Sequence, residues 1–187
     1  GLEPHQGLVL RLDARALLAI AVAHREVDQA LVDAGARVHV PARSMGRATD
    51  ALTDLGDRSE VVMLDEDVLL GEGVVLGEMD LADLDQVRSY AGSVRDAEED
   101  LDLLINNAGV MACPETWVGP GWEMQFAVNH LGHFVLSTEL LPLLRRADDP
   151  RVVALSSVGH KRSDIRWNDI HFQNEKYQKW DAYGQSK

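Results

Sequence analysis

The chain of 187 residues contains a single cysteine, Cys113, so no internal disulfide can form, and a reducing compartment such as the cytoplasm is the expected setting. No group of histidines and cysteines has metal-ligand spacing, and no metal is expected. Basic residues are outnumbered, 18 against 31 acidic, giving a net charge of −13, which argues against nucleic acid or an anionic membrane as partner. Long apolar runs are missing too. The run from Ala16 to Ala23 is closed by Arg15 and His24, too short to span a bilayer and without a small-residue cleavage site. Glycine is absent between Gly7 and Gly35, which deprives the first part of the chain of any glycine-rich turn.

What is present fits a soluble globular protein: 45% hydrophobic and 26% charged residues, in a length that suits one domain over residues 1–187. Leu17 to Val22 reads as a short buried strand, since buried parallel strands are continuously apolar. Val27, Ala30, Leu31 and Ala34 then recur at helical spacing before Gly35, a suitable C-terminal cap. Arg37 to Val40 reads as a second strand ahead of Pro41, and Ala42 to Leu55 as loop then helix. Val61 to Leu64 and Val74 to Met79 both look like strands. The acidic, glycine-containing stretch from Asp65 to Gly73 reads as the separator between them, with the later piece in the main sheet and the earlier one at an edge or in an insertion.

Leu84, Val87, Ala91 and Val94 make a helical stripe, and Leu101 to Ile105 a fourth strand. Trp122 to Leu144 is the longest helical candidate, kinked or ended by Pro142. Val152 to Leu155 is a fifth strand, and Lys161 to Asp181 reads as polar loop with a helical turn. This alternation predicts an α/β fold with a doubly wound, Rossmann-like parallel sheet, whose ligand crevice lies at the carboxyl ends of its strands. Arg43, Asp80, Asn106-Asn107 and Ser156-Ser157 each follow a strand, so they are expected along that one edge.

The last five residues carry a tyrosine and a lysine four apart, Tyr183 and Lys187, on one helical face. A fixed ammonium near a phenol favours the phenolate, which makes tyrosine usable as a general acid or base. A bare Tyr-x3-Lys also arises by chance on surface helices, so its context matters.

That context resembles the short-chain dehydrogenase/reductase family. Leu103-Leu104-Ile105-Asn106-Asn107-Ala108-Gly109 is similar to its Asn-Asn-Ala-Gly segment, and Asn129 in Val128-Asn129-His130-Leu131-Gly132-His133-Phe134 matches its helical asparagine. Ser156-Ser157 and the terminal Tyr-x3-Lys complete the set in order. The long interval between Ser157 and Tyr183, with His160, Trp180 and Ala182 to Lys187, resembles the retinol-dehydrogenase-like branch.

The resemblance implies hydride transfer between a nicotinamide cofactor and a carbonyl or alcohol carbon. Its implied catalytic residues are Asn129, Ser157, Tyr183 and Lys187. Tyr183 would move the proton at the substrate oxygen, and Ser157 would hydrogen-bond that oxygen. Lys187 would tune the tyrosine and hold the ribose, with Asn129 supporting it through water. The implied cofactor contacts are Arg43, Asp80, Leu81, Asn107, Ala108, Gly109, Tyr183 and Lys187. Arg43 stands where NAD users carry an acidic residue, so NADP is expected, with NAD as second candidate. The partner is a small carbonyl or alcohol substrate, and a homo-oligomer stays open.

Residue by residue, plainer readings stand alongside. Asn129 could bond backbone, Asn106 could tie strands together, Ser156 and Cys113 read as structural, and His130, His133 and the four tryptophans read as packing or surface residues. Two features depart from the family. Its Thr-Gly-x3-Gly-x-Gly turn would fall on Leu17 to His24, which holds no glycine. Members also continue past the Tyr-x3-Lys helix, so the sheet is expected to be incomplete at the C-terminal side. An oxidoreductase, a family member that has lost cofactor binding and acts as an interaction module, and a small-molecule or nucleotide-binding α/β protein with unrelated chemistry are the readings to be separated.

Overall fold

The computed structural model describes residues 16–20, 31, 36–43, 61–64, 67–70 and 74–187. Among these residues, seven strands form one sheet: β1 (Ala16–Ile20), β2 (Arg37–Ala42), β3 (Val61–Leu64), β4 (Asp67–Leu70), β5 (Val74–Glu78), β6 (Leu103–Asn106) and β9 (Arg151–Ala154). Their order is β3-β4-β5-β2-β1-β6-β9. β5, β2, β1, β6 and β9 are mutually parallel, which brings all their carboxyl ends to one edge. The expected parallel α/β sheet is therefore present, with β1 flanked by β2 and β6.

β2 shows why such strands read as unbroken apolar runs. Val38, His39, Val40 and Pro41 are all buried, covered on both faces. The strand continues through Pro41 instead of stopping before it. Ala42 O accepts from Met79 N on the β5 side, so the alternate residue Pro41 turns its missing N–H toward the β1 side, where pairing ends at His39. His39, buried in this strand, is satisfied by Glu98, with its Nε2 2.7 Å from Oε1.

The stretch from Asp65 to Gly73 is corrected by β4. Asp67–Leu70 pairs antiparallel with β3 on one side and β5 on the other, so the separator is itself a strand. Acidic residues and glycines flank Val68, Leu69 and Leu70 and hide three consecutive strand formers. Leu31 is helical and buried, as the first expected helical stripe requires, and its carbonyl accepts from Ala36 N. The rest of that stripe and the helix expected within Ala42 to Leu55 lie outside the described residues.

Helix α1 (Leu84–Ala97) starts at Asp83, whose carboxylate accepts from the amides of Asp85 and Gln86. Its stripe of Val87, Tyr90, Ala91 and Val94 is buried as expected. The long helical candidate begins two residues late, because Trp122–Glu123 (β8) pairs with Trp117–Val118 (β7) as a small antiparallel ribbon. Glu123 then caps the helix, accepting from Gln125 N and Phe126 N. The helix runs through α2 (Met124–Phe126), a π-helical turn over Ala127–Gly132, and α3 (His133–Leu144). Pro142 sits in its last turn, which ends two residues later.

Helices α1 and α3 are tied by Arg95, which donates to the Glu139 carbonyl at 3.0 Å and pairs with its carboxylate at 2.7 Å. Between them and the sheet lies the main core, with Leu101, Leu104, Leu136, Leu140 and Leu143 at its centre. After β9 come a 3₁₀ turn over Val158–Arg162 and helix α4 (Lys179–Ser186). Among the described residues β9 is the last strand on that side of the sheet, and its Val152 and Val153, with Leu155 just after it, are exposed.

Candidate active site

The carboxyl end of β6 is where the site begins. Asn106, the strand's last residue, is buried, and its Nδ2 donates to Ser137 Oγ at 2.8 Å, tying the strand to α3. Asn107 folds back on Ile105, Ala108 enters the core, and Gly109 emerges exposed. A Cβ on Gly109 would stand 2.9 Å from Asn129 Oδ1 and 3.1 Å from Lys187 Nζ. That approach needs glycine, and it shows three sequence-distant motifs meeting at one point.

Asn129 lies in the π-helical turn and is buried. Its Oδ1 accepts from Val110 N at 2.8 Å, while its Nδ2 donates to Val110 O at 2.9 Å and to Ser186 Oγ at 2.8 Å. The amide thus clamps both polar groups of one residue in the loop after β6, and ties α4 to the same point. The backbone-bonding reading of Asn129 is realised, together with proximity to Lys187. π-turns of this kind concentrate at functional sites, because the extra residue redirects side chains and carbonyls.

Ser157 follows β9 and opens the 3₁₀ turn, its Oγ accepting from Gly159 N at 3.1 Å. A hydroxyl that accepts there keeps its own hydrogen free to donate. Gly159 is the floor between Ser157 and the helix beyond. A Cβ on it would meet the Tyr183 ring at 2.7 Å and Ser157 Oγ at 3.3 Å, so the two side chains stand against one another across a glycine. Tyr183 also packs edge-on to Trp180, with ring centroids 6.4 Å apart. Ser156 differs from its neighbour: its Oγ donates to the Lys187 carbonyl at 3.2 Å.

Helix α4 is seated by the segment between the 3₁₀ turn and its own first residue. Gln185, buried, accepts from Arg166 N and donates to Ile170 O at 2.7 Å. Arg166 in turn reaches Glu175 and Asp181 and lies over the Phe172 ring, 5.0 Å from its centroid. The stretch expected to be polar loop with a helical turn is therefore a cradle that fixes the helix bearing Tyr183. Burial disfavours the Lys187 ammonium and lowers its pKa.

The remaining expected residues are spread along the same sheet edge. Arg43 follows β2 and is exposed. Asp80 follows β5 and closes a turn by accepting from Ala82 N at 2.9 Å. Leu81 is buried against Gly132, where a Cβ would fall 2.5 Å from the Leu81 carbonyl. The strand β1 occupies Ala16–Ile20 and so takes in Leu17 to Ile20, the first half of the stretch on which the family's glycine turn would fall; Ala21 to His24 lie outside the described residues. Cys113 is half-buried, with its thiol pKa raised chiefly by desolvation.

One residue of this site reads from the sequence as a packing or surface residue. His133, one turn after Asn129, is buried, and its Nδ1 lies 3.1 Å from the Asn129 carbonyl oxygen. Desolvation, with the Lys187 charge as a further contribution, lowers its pKa to about 4, so the ring is neutral at pH 7. A histidine four residues after a motif asparagine on a helix is the available signal.

With that geometry in place, the comparisons with known proteins are specific. The short chain dehydrogenase family model matches residues 24–168. Human "Retinol dehydrogenase 14" is 39% identical over 160 residues, covering 84% of this chain and 47% of that protein. A "Probable oxidoreductase" of Streptomyces antibioticus is 40% identical over 164 residues, covering 87% of this chain and 50% of the relative. The chain thus spans about half the length of these relatives. Among solved structures, an uncharacterized protein from Mycobacterium Paratuberculosis superposes with a TM-score of 0.74 at 32% identity, covering 92% of this chain and 57% of that one. The "Pseudomonas aeruginosa RhlG/NADP active-site complex" gives a TM-score of 0.60 at 28% identity, covering 92% and 61%. By motif order, sheet topology and these matches, the chain belongs to the short-chain dehydrogenase/reductase family, in its retinol-dehydrogenase-like branch.

Proposed function

We propose that this chain serves hydride transfer between NADP(H) and a small carbonyl or alcohol substrate. The observation that carries the reading is the meeting of Ser157 Oγ and the Tyr183 ring across Gly159, with Lys187 Nζ against Gly109 and Asn129. Gly109 and Ser157 follow β6 and β9, Tyr183 lies in α4 with Lys187 at its C-cap, and Asn129 comes from the π-helical turn, at the sheet edge where doubly wound folds bind ligands. Gly109 fits a dinucleotide site: it is an exposed glycine whose missing side chain lets a ligand approach the backbone beside a cation.

When bound, the nicotinamide would supply or accept the hydride, chemistry that no side chain of the protein provides. The protein's part is to orient and to move protons. Ser157 donates its free hydroxyl hydrogen to the substrate oxygen. Tyr183 gives or takes the proton at that oxygen, and Lys187 places positive charge where ribose hydroxyls and developing negative charge need it. Asn129 holds the loop after β6 against α4, keeping these groups in register. Arg43, exposed past β2, favours the 2′-phosphate of NADP over NAD.

A second reading, a family member that binds no cofactor and acts as an interaction module, draws on one observation: β1 carries Leu18 at the position of the first glycine of the family turn. Titration with NADPH and NADH, monitored by nicotinamide fluorescence, separates the two. Saturable NADPH binding that weakens by about tenfold in Arg43→Ala, with ketone or aldehyde reduction lost in Tyr183→Phe, is expected. No binding of either nucleotide would defeat the oxidoreductase reading, and full turnover in Tyr183→Phe would defeat the proton-transfer assignment.

A further inference from the structure

Two amide side chains four residues apart, Gln125 and Asn129, reach from one helical run to the same two neighbours. Asn129 takes hold of Val110 in the loop after β6 and of Ser186 in α4. Gln125, in α2, is fully buried and uses its whole amide. Its Oε1 accepts from Ala112 N at 2.7 Å, and its Nε2 donates to Lys179 O and to the Tyr177 hydroxyl, both at 2.9 Å. These partners fix its orientation, because a turned amide would set a donor against the Ala112 N–H and an acceptor against the Lys179 carbonyl. Ala112 has a φ of 52°, a left-handed conformation that a residue with a Cβ keeps only where its surroundings hold it. The Gln125 bond is such a hold.

What the two amides grip in α4 is the backbone of Tyr183. In an α-helix the Tyr183 amide donates to the carbonyl four residues back, that of Lys179, which Gln125 also engages. On the other side, the Tyr183 carbonyl accepts from Ser186 Oγ at 2.8 Å, and that oxygen accepts from Asn129 Nδ2 at 2.8 Å. Behind Gln125 stands Tyr177. Its hydroxyl lies 3.1 Å from both Cys113 O and Glu123 Oε1, and its ring packs edge-on to Phe172 at 5.3 Å. Burial, with the Glu123 charge, raises the Tyr177 pKa, so this hydroxyl keeps its hydrogen.

We propose that Gln125, backed by Tyr177, is a positioning residue that sets where the Tyr183 ring stands. By bonding Ala112 and Lys179 it fixes the loop after β6 against the first turn of α4, and so seats the ring against Gly159 and Ser157. Asn129 secures the end of that helix next to Lys187; Gln125 secures the end one turn before the phenol. Without it, the first turn keeps its ion pair from Asp181 to Arg166 but loses its direct tie to the loop that carries Gly109. A displaced ring slows proton transfer while leaving the cofactor's own contacts in place. That consequence for turnover rests on the oxidoreductase reading above; the placement of the ring does not.

The test reads both. One α-proton of Gly159 points at the Tyr183 ring, since a Cβ built there would meet the ring at 2.7 Å, so ring current at that proton reports the ring's position without turnover. Glycine α-proton shifts, Tm, the NADPH dissociation constant and kcat for reduction of a ketone and aldehyde panel are measured for the full chain, Gln125→Met and Tyr177→Phe. In Gln125→Met the Gly159 shift is expected to move toward its random-coil value. There kcat falls by about tenfold to a hundredfold, with the NADPH dissociation constant within about threefold of native. Tyr177→Phe removes one oxygen and keeps the ring on Phe172; it should move the shift the same way by less, with kcat down about threefold. It carries the test if Gln125→Met does not fold. A purely structural role lowers Tm in the folded variants and leaves the Gly159 shift and kcat native, and that result overturns the proposal. A native protein that turns over no substrate would sink the oxidoreductase reading, and the Gly159 shift alone would then decide this one.

Discussion

Gly132 and Gly92 are both helical glycines, and the structure gives alanine opposite consequences at the two. At Gly132 the added Cβ would fall 2.5 Å from the Leu81 carbonyl oxygen and 3.0 Å from its Cβ and Cδ2. Real Cβ atoms stay beyond 3.0 Å, so backbone must separate by about 0.5 Å or more. Neither side yields easily, since Gly132 closes the turn that holds Asn129 and Leu81 is buried in the main core. Overpacking of this kind costs about 1–3 kcal/mol, and the helix preference of alanine over glycine returns roughly 0.5–1. A net loss of roughly 1–2 kcal/mol lowers the Tm of a chain this size by roughly 2–8 °C. At Gly92, inside α1, the added Cβ meets only the end of Arg95, at 3.8 Å. There the propensity term stands alone and Tm should rise by about 1–4 °C. Thermal unfolding by circular dichroism of the two variants decides. A Gly132→Ala protein as stable as the native one would refute the steric argument, and a destabilised Gly92→Ala would refute the assumption that its surroundings are open.

Three other outcomes are expected. His133 has its pKa lowered to about 4, so below about pH 6.5 the unfolded chain takes up a proton that the folded one refuses. Stability from this group is complete above about pH 6.5 and is lost as pH falls toward 4, by up to on the order of 3 kcal/mol. Urea unfolding at neutral and at mildly acid pH should show that loss shrinking in His133→Gln, and an identical pH dependence would count against it. Asn129→Leu removes the clamp on Val110 and the bond to Ser186, leaving buried polar groups unpaired at a cost on the order of 3 kcal/mol. Amide exchange at Val110 that stays as slow as native would contradict this. Glu98→Ala strands buried His39, for a loss of about 1–3 kcal/mol by chemical denaturation, and a neutral result would show that His39 finds another partner.

Polar residues at strand ends make the site readable from the chain alone. Asn106-Asn107, Ser156-Ser157 and Asp80 each interrupt an apolar strand, and topology alone then sends them to one edge. Other features have no local signature. β4 is hidden because acidic residues and glycines around Val68 to Leu70 outweigh three strand formers. Trp122 and Glu123 look helical in sequence, and only pairing with Trp117 and Val118 makes them a ribbon. The π-turn around Asn129 leaves no trace in composition, since it depends on contacts with Val110 and Ser186 far along the chain. His133 looks like a surface or packing residue for the same reason: only the fold buries its ring and turns it onto the Asn129 carbonyl.

The place of β1 in the sheet has a consequence for how the chain acquires its structure during synthesis. Ala16–Ile20 pairs on one side with Arg37–His39 and on the other with Leu103–Asn106. When β1 leaves the ribosome, its second neighbour is still untranslated, and one whole edge of the future sheet centre waits for it. Closing that gap joins distant parts of the chain, a step whose loop entropy slows folding. Until β6 emerges, the edge of β1 that it will occupy is open to any strand at hand, which is the exposure that favours wrong pairing in a nascent chain.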